Sequence, residues 1–182
     1  MKTNKIKIQL FSVLMVISML SVNAQQNWDV KMEGKSLNTI EKFKEKSWEM
    51  KSIFKNSYGY AVFPSIGKGG IVIGGAHGKG ILYQQGKPIG DTKMTQVTIG
   101  FQWGGQSYSE IVFFEDKEAF DLFRANRLEL AAQASAVLVT AGISKDIPYN
   151  NGVAIYTLPK AGLMFEATVG GQKFKYKEKE SD

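Results

Sequence analysis

The sequence predicts an α+β fold: one domain built on a strongly curled antiparallel sheet or partial barrel, with an N-terminal helical arm and one internal helix. Three observations carry this. Residues 59–105 hold 13 of the chain's 19 glycines, yet the same stretch is rich in Val, Ile, Phe and Tyr. Flexible linkers lack such apolar residues and ordinary strands lack so many glycines, so short strands with tight turns and close backbone approach are expected. Ahead of it, Leu37, Ile40, Phe43, Met50, Ile53 and Phe54 recur at helical steps. From Thr95 to Trp103 the chain alternates strictly, with Val97, Ile99, Phe101 and Trp103 on one face and Gln96, Thr98 and Gln102 on the other, which is the period of a strand.

In chain order, Lys2, Lys5 and Lys7 precede an apolar stretch, Ile8 to Val22, that is short for a membrane span. Val22-Asn23-Ala24 supplies small residues for cleavage, so residues 1–24 are expected to be a secretory signal. Its removal would lower the formal charge from +6 to +3, mildly basic and below the charge density of a nucleic-acid binder. The expected location is periplasmic or extracellular. There is no cysteine, so neither disulfides nor a lipid-modified cysteine is available.

Residues 25–35 are expected to be loose and 36–176 to form the domain. Ser36 is placed as the cap of a helix starting at Leu37. The apolar stripe breaks over Glu45 to Ser47, which predicts two short helices up to Asn56. Tyr58–Phe63 reads as a strand stopped by Pro64, 66–68 as a turn, 70–76 as a second strand, 78–80 as a turn, and 81–84 as a third strand. Gly86-Lys87-Pro88 reads as a turn, 95–103 as a strand, Gly104-Gly105 as a turn, and 108–114 as the returning strand. Asp116 is expected to cap a helix to about Ala125. Residues 128–142 read as a strand rich in small residues, although their composition suits a helix as well. Strands are expected over 152–158, 162–169 and 173–176, joined by turns at 159–162 and at Gly170-Gly171, with a charged tail over 177–182.

Little in this chain can catalyse. It has one histidine, His77, placed in a presumed hairpin turn, and no Gly-x-Ser-x-Gly elbow. One histidine and no cysteine cannot build a zinc or copper site, and no acidic loop has calcium spacing. The Gly-Lys pairs at 67–68, 78–79 and 86–87 lack the spacing of a phosphate-binding loop. Lys68 and Lys79 nevertheless stand beside glycine N–H groups that can cradle an anion. Glu110 and Glu166 could form an acid–base pair only if neighbours in the sheet, and nothing in their spacing favours it. No catalytic residue, metal or cofactor is assigned, and no enzymatic activity is expected.

The positive signal is the arm. Lys42, Lys44, Lys46, Lys51 and Lys55 decorate it beside Phe43, Trp48, Ile53 and Phe54. A basic amphipathic segment of this kind suits an anionic membrane surface. The competing reading is that its apolar residues pack on the sheet and its lysines are solvated. The blocks GYAVFPSIGKGG (59–70), GGAHGKG (74–80), TIGFQWGGQSYSEIVFF (98–114), AAQASAVLVTAG (131–142) and GLMFEATVGGQKF (162–174) resemble the SYLF domain, a lipid-binding domain of fungal and animal endocytic proteins, in its secreted bacterial branch. The resemblance runs from about Ser36 to Tyr176. It implies a non-enzymatic domain that binds anionic lipid headgroups. Eukaryotic members bind phosphoinositides partly through a basic N-terminal helix, and some bind actin filaments. It would make 36–56 the lipid-contacting arm and sets Lys68 in the matched Phe-Pro block. The expected lipid-binding residues are therefore Lys42, Lys44, Lys46, Lys51, Lys55, Lys68 and Lys79. Two alternatives are a carrier enclosing an acyl chain beside Ala132, Ala134 and Ala136, and an envelope scaffold using an apolar patch near Trp103 and Tyr108, its protein partner unknown.

Overall fold

The computed structural model describes residues 30–46, 48–70, 73–99, 106–130, 137–138, 149–161 and 171–179. The chain divides into two units, Met1–Gly34 and Lys35–Asp182. Within the first, residues 30–34 are helical. The signal peptide expected over 1–24 lies outside the described residues.

Helix α1 covers 30–44, a turn follows at 45–46, and α2 is Trp48–Asn56. The break in the apolar stripe thus does divide the arm. The expected starting point is corrected: helix already covers 30–34, in the stretch read as loose, and Ser36 is buried within α1 rather than capping it. Its hydroxyl has no hydrogen-bond partner among the described residues, while Thr39 Oγ1 donates back to the Lys35 carbonyl.

Seven strands follow: β1 Gly59–Gly70, β2 Ile73–Gln84, β3 Lys87–Ile99, β4 Gln106–Phe114, β5 Val137–Leu138, β6 Val153–Ala161 and β7 Gln172–Glu178, with helix α3, Lys117–Arg124, between β4 and β5. They form one sheet in the order β5-β6-β4-β1-β2-β3-β7. Six strands pair antiparallel, and the two-residue β5 joins the edge of β6 in parallel. No ladder joins β5 to β7 among the described residues.

Several expected turns are strand instead. Pro64 does not stop β1, residues 66–68 continue it, and 78–80 lie inside β2. Residues 159–161 likewise extend β6, and Lys177 and Glu178 extend β7. The prolines explain the misreading. Pro64, Pro88 and Pro159 each stand where the ladder register shifts. A residue without an N–H fits a strand at such an irregularity, so these prolines mark bulges rather than ends. The tight turns that do occur have a distinct signature. Gln85-Gly86 and Asn151-Gly152 both adopt positive φ at two successive residues (48° and 80°, 50° and 73°). That is the backbone of the two-residue hairpin turn matching strand twist. Inside the strands, glycine serves packing: a Cβ at Gly80 would overlap the Val62 carbonyl, and one at Gly90 would overlap that of Lys177.

Both faces of the sheet are covered over part of its area. On one face Ala61, Phe63, Ile66, Leu82, Met94, Val112, Phe114, Ile155 and Phe174 pack with Phe120 and Phe123 of α3. Asp116 caps α3 as expected, accepting the Ala119 N–H at 2.9 Å. On the other face Phe54 of α2 meets Tyr60 and Phe113 edge-on at 5.0 and 4.9 Å, and Tyr60 stacks on Tyr83 at 5.3 Å. The Leu130 N–H and carbonyl bond to Gln172 and Gly171, and Glu129 bridges to Lys173. The stretch after α3 therefore meets β7 first and then, as β5, the far edge at β6. The remainder of 128–142, and the strand expected over 162–169, lie outside the described residues.

Candidate functional site

The arm resolves in favour of packing for its apolar residues. Ile40, Phe43, Met50 and Ile53 are all buried, Phe43 and Met50 completely. Burying four such side chains contributes on the order of 6–12 kcal/mol against their exposure, so this face is committed to the core. Leu37 and Trp48, at 49% and 64% exposed, remain outside.

The lysines have separate fates. Lys42 of α1, Lys46 of the turn, and Lys51 and Lys55 of α2 are exposed. Lys44 is half-buried, ion-paired with Glu41 at 2.9 Å, and lies over the Phe54 ring at 5.4 Å. Lys68 stands half-buried in β1, and Lys79 is exposed in β2. The seven expected residues come from two parts of the fold: five belong to the arm, and two lie in strands of the sheet. Next to the arm a further cation appears that the sequence reading missed. Lys160 in β6 has its ammonium pushed below the ordinary lysine range by burial, with Lys42 and Lys35 adding to the effect. Three cations thus gather where α1 approaches β6. Because they are far apart in sequence, only the fold brings them together.

The same arm borders a cleft of about 550 Å³ lined by Phe54, Lys55, Asn56, Ser57, Tyr58, Gln85, Gly86 and Glu115. It holds one cation and one carboxylate. His77 is not in a turn: it is exposed in the middle of β2, opposite Gly67 and Thr95.

The strongest electrostatic perturbation is inside. Glu110 in β4 is fully buried and accepts a hydrogen bond from Gln172 Nε2 of β7 at 3.0 Å. Burial pushes its carboxyl up to about 7, and the Gln172 bond offsets part of that. Tyr108, buried beside it, has its hydroxyl pushed upward by burial and by the Glu110 charge. Glu110 Oε1, Gln172 Oε1 and Thr157 Oγ1 have no hydrogen-bond partner among the described residues. Gln96 is buried here too, while the adjacent Val97 is 73% exposed. At these two positions the polar residue faces inward and the apolar one outward. Glu166, the other half of the acid pair weighed from the sequence, and Trp103 lie outside the described residues, as do Ala132, Ala134 and Ala136. Among the described residues no group of three or more His, Cys, Asp or Glu could hold a metal ion. No helix there is long and apolar enough to cross a membrane.

No family model matches the chain. A similar protein is Beta cell expansion factor A of Aeromonas veronii, 31% identical over 126 residues, which cover 68% of this chain and 48% of that protein. The chain spans about half the length of that relative.

Proposed function

We propose that this chain is a secreted SYLF-like domain that binds anionic lipid headgroups at a membrane surface of the cell envelope and catalyses no reaction. The observation that carries the reading is the division of labour in the arm. Ile40, Phe43, Met50 and Ile53 are consumed by the core, while Lys42, Lys46, Lys51 and Lys55 stay in solvent, as do Leu37 and the ring of Trp48. Such a surface attracts through charge, with an aromatic ring and Leu37 available to the headgroup layer while Ile40, Phe43, Met50 and Ile53 are held in the core. The five matched sequence blocks support the same reading.

We read the sheet as strongly curled, a partial barrel. In a flat sheet β4 and β7, with three strands between them, would lie about 19 Å apart. Yet Glu110 and Gln172 share a hydrogen bond, and the rings of Phe63 in β1 and Phe174 in β7 approach to 5.9 Å. Curvature brings these strands face to face. It also bears on the acyl-carrier alternative. Phe123 lies 5.0 Å from Phe114 and 5.1 Å from Phe174, so ring contacts occupy the described part of the interior.

The test is vesicle flotation with the full chain across headgroups of increasing negative charge. Binding should rise with headgroup charge and be absent on phosphatidylcholine alone. Equal binding to the neutral vesicles would overturn the reading.

A further inference from the structure

Resting on the anionic-lipid reading, we propose that a second surface, the outer wall of β2, β3 and β7, docks on the phosphate layer of an anionic phospholipid bilayer through a row of lysines. Lys79 of β2 stands directly opposite Lys93 of β3, and Lys93 directly opposite Lys175 of β7. All three are exposed. Direct cross-strand partners share a face, so three ammonium stems rise from one row spanning about 10 Å.

Such a row costs stability. Like charges directly opposite one another in a sheet repel, and surfaces shaped for stability alone intersperse opposite signs. The neighbouring rows show the ordinary arrangement: Lys173 is paired with Glu129 at 3.1 Å, and Lys177 faces Asp91 in register. Neither Lys93 nor Lys175 has an ion pair among the described residues. Edge protection accounts for lysines on β7, the outermost strand, but not for those on β2 and β3, which have neighbours on both sides.

The occupant follows from what lies along the strand. Val97, two rows from the ladder and about 13 Å along β3, is 73% exposed on this same wall, beyond the small polar Thr95. An apolar residue beyond a row of cations matches a bilayer, where acyl chains lie below phosphates. The long lysine stems can lean toward that phosphate layer. A soluble polyanion would be recognised by the cations and leave Val97 in water. The helical arm offers exposed lysines too, with Lys42 close to Lys35 and Lys160 and Lys51 one helical turn from Lys55, and forms a separate surface.

The experiment compares Lys93→Gln/Lys175→Gln with Lys51→Gln/Lys55→Gln in the full chain, on phosphatidylcholine vesicles with and without phosphatidylglycerol. Each surface lysine contributes roughly five-fold to partitioning, so the ladder pair should weaken binding roughly 25-fold, as much as the arm pair does at its own surface. The ladder pair should also melt no lower than the wild type, since it removes repulsion. A second readout uses the absence of cysteine. A polarity-sensitive dye at Val97→Cys should shift on anionic vesicles and stay unchanged on phosphatidylcholine alone. Full binding by the ladder pair, or no shift at position 97 on anionic vesicles, would overturn the proposal and leave the lipid reading standing. A wild type that ignores anionic vesicles would remove both.

Discussion

Glu110 is a carboxylate taken fully out of water. Its carboxyl is completely buried and, among the described residues, holds one hydrogen bond, from Gln172. With its folded value raised to about 7 from 4.5, the folded chain binds this proton more tightly than the unfolded chain does. Its contribution is therefore most favourable below about 4.5 and is lost as pH rises through about 7. The loss is on the order of 3 kcal/mol. Glu110→Gln keeps an acceptor for Gln172 and removes the ionisation. Urea denaturation at pH 5 and pH 8 should show the variant gaining on the wild type at the higher pH by an amount of that order. An unchanged difference between the two proteins at the two pH values would mean that Glu110 ionises in the folded state without penalty. The sequence displayed Glu110 within a strand but not its surroundings, because Gln172 is 62 residues away and meets it only through the fold.

At the scale of elements, helix signals were legible where they were local. Asp116, three residues before the amide it accepts, caps α3, and Ala119, Phe120 and Phe123 face the core. Asp116→Ala should lower stability by about 1 kcal/mol, and Asp116→Asn should restore most of it, measured by urea denaturation. An alanine variant as stable as the wild type would deny the cap its role. The break between α1 and α2 was legible as well, from three residues that interrupt the apolar stripe. Strand ends were not. Pro64, Pro88 and Pro159 look alike in sequence whether they stop a strand or sit at a bulge, and the choice is made by the neighbouring strands. The glycines at 78 and 80 misled for a related reason. In β2 they make room for backbone and side chains of β1, such as the Val62 carbonyl at Gly80, rather than turning the chain. The alternation of Gln96 and Val97 was visible, but not its direction. Apolar side inward is the usual rule, and the buried polar group around Glu110 reverses it here.

For the whole molecule, the proposed function depends on where charge ends up once the core has taken its share. The arm was read as either a membrane-facing helix pair or a packed one, and its apolar half proves to be packed. What is left is a set of cations distributed over the arm and the outer wall of the sheet, with Lys160 joining the first and Lys93 and Lys175 the second. None of these three was legible as a site residue, since each gains its neighbours by strand pairing or by packing across the fold. Attraction through exposed lysines is screened over about 10 Å at 0.1 M salt and about 3 Å at 1 M. Apolar insertion is not weakened in that way. The most direct measurement is therefore the partitioning of the full chain onto phosphatidylglycerol-containing vesicles as salt is raised between those limits. Binding that falls steeply and reverses on dilution is the predicted result; binding that holds constant or strengthens with salt would contradict a surface that works by charge.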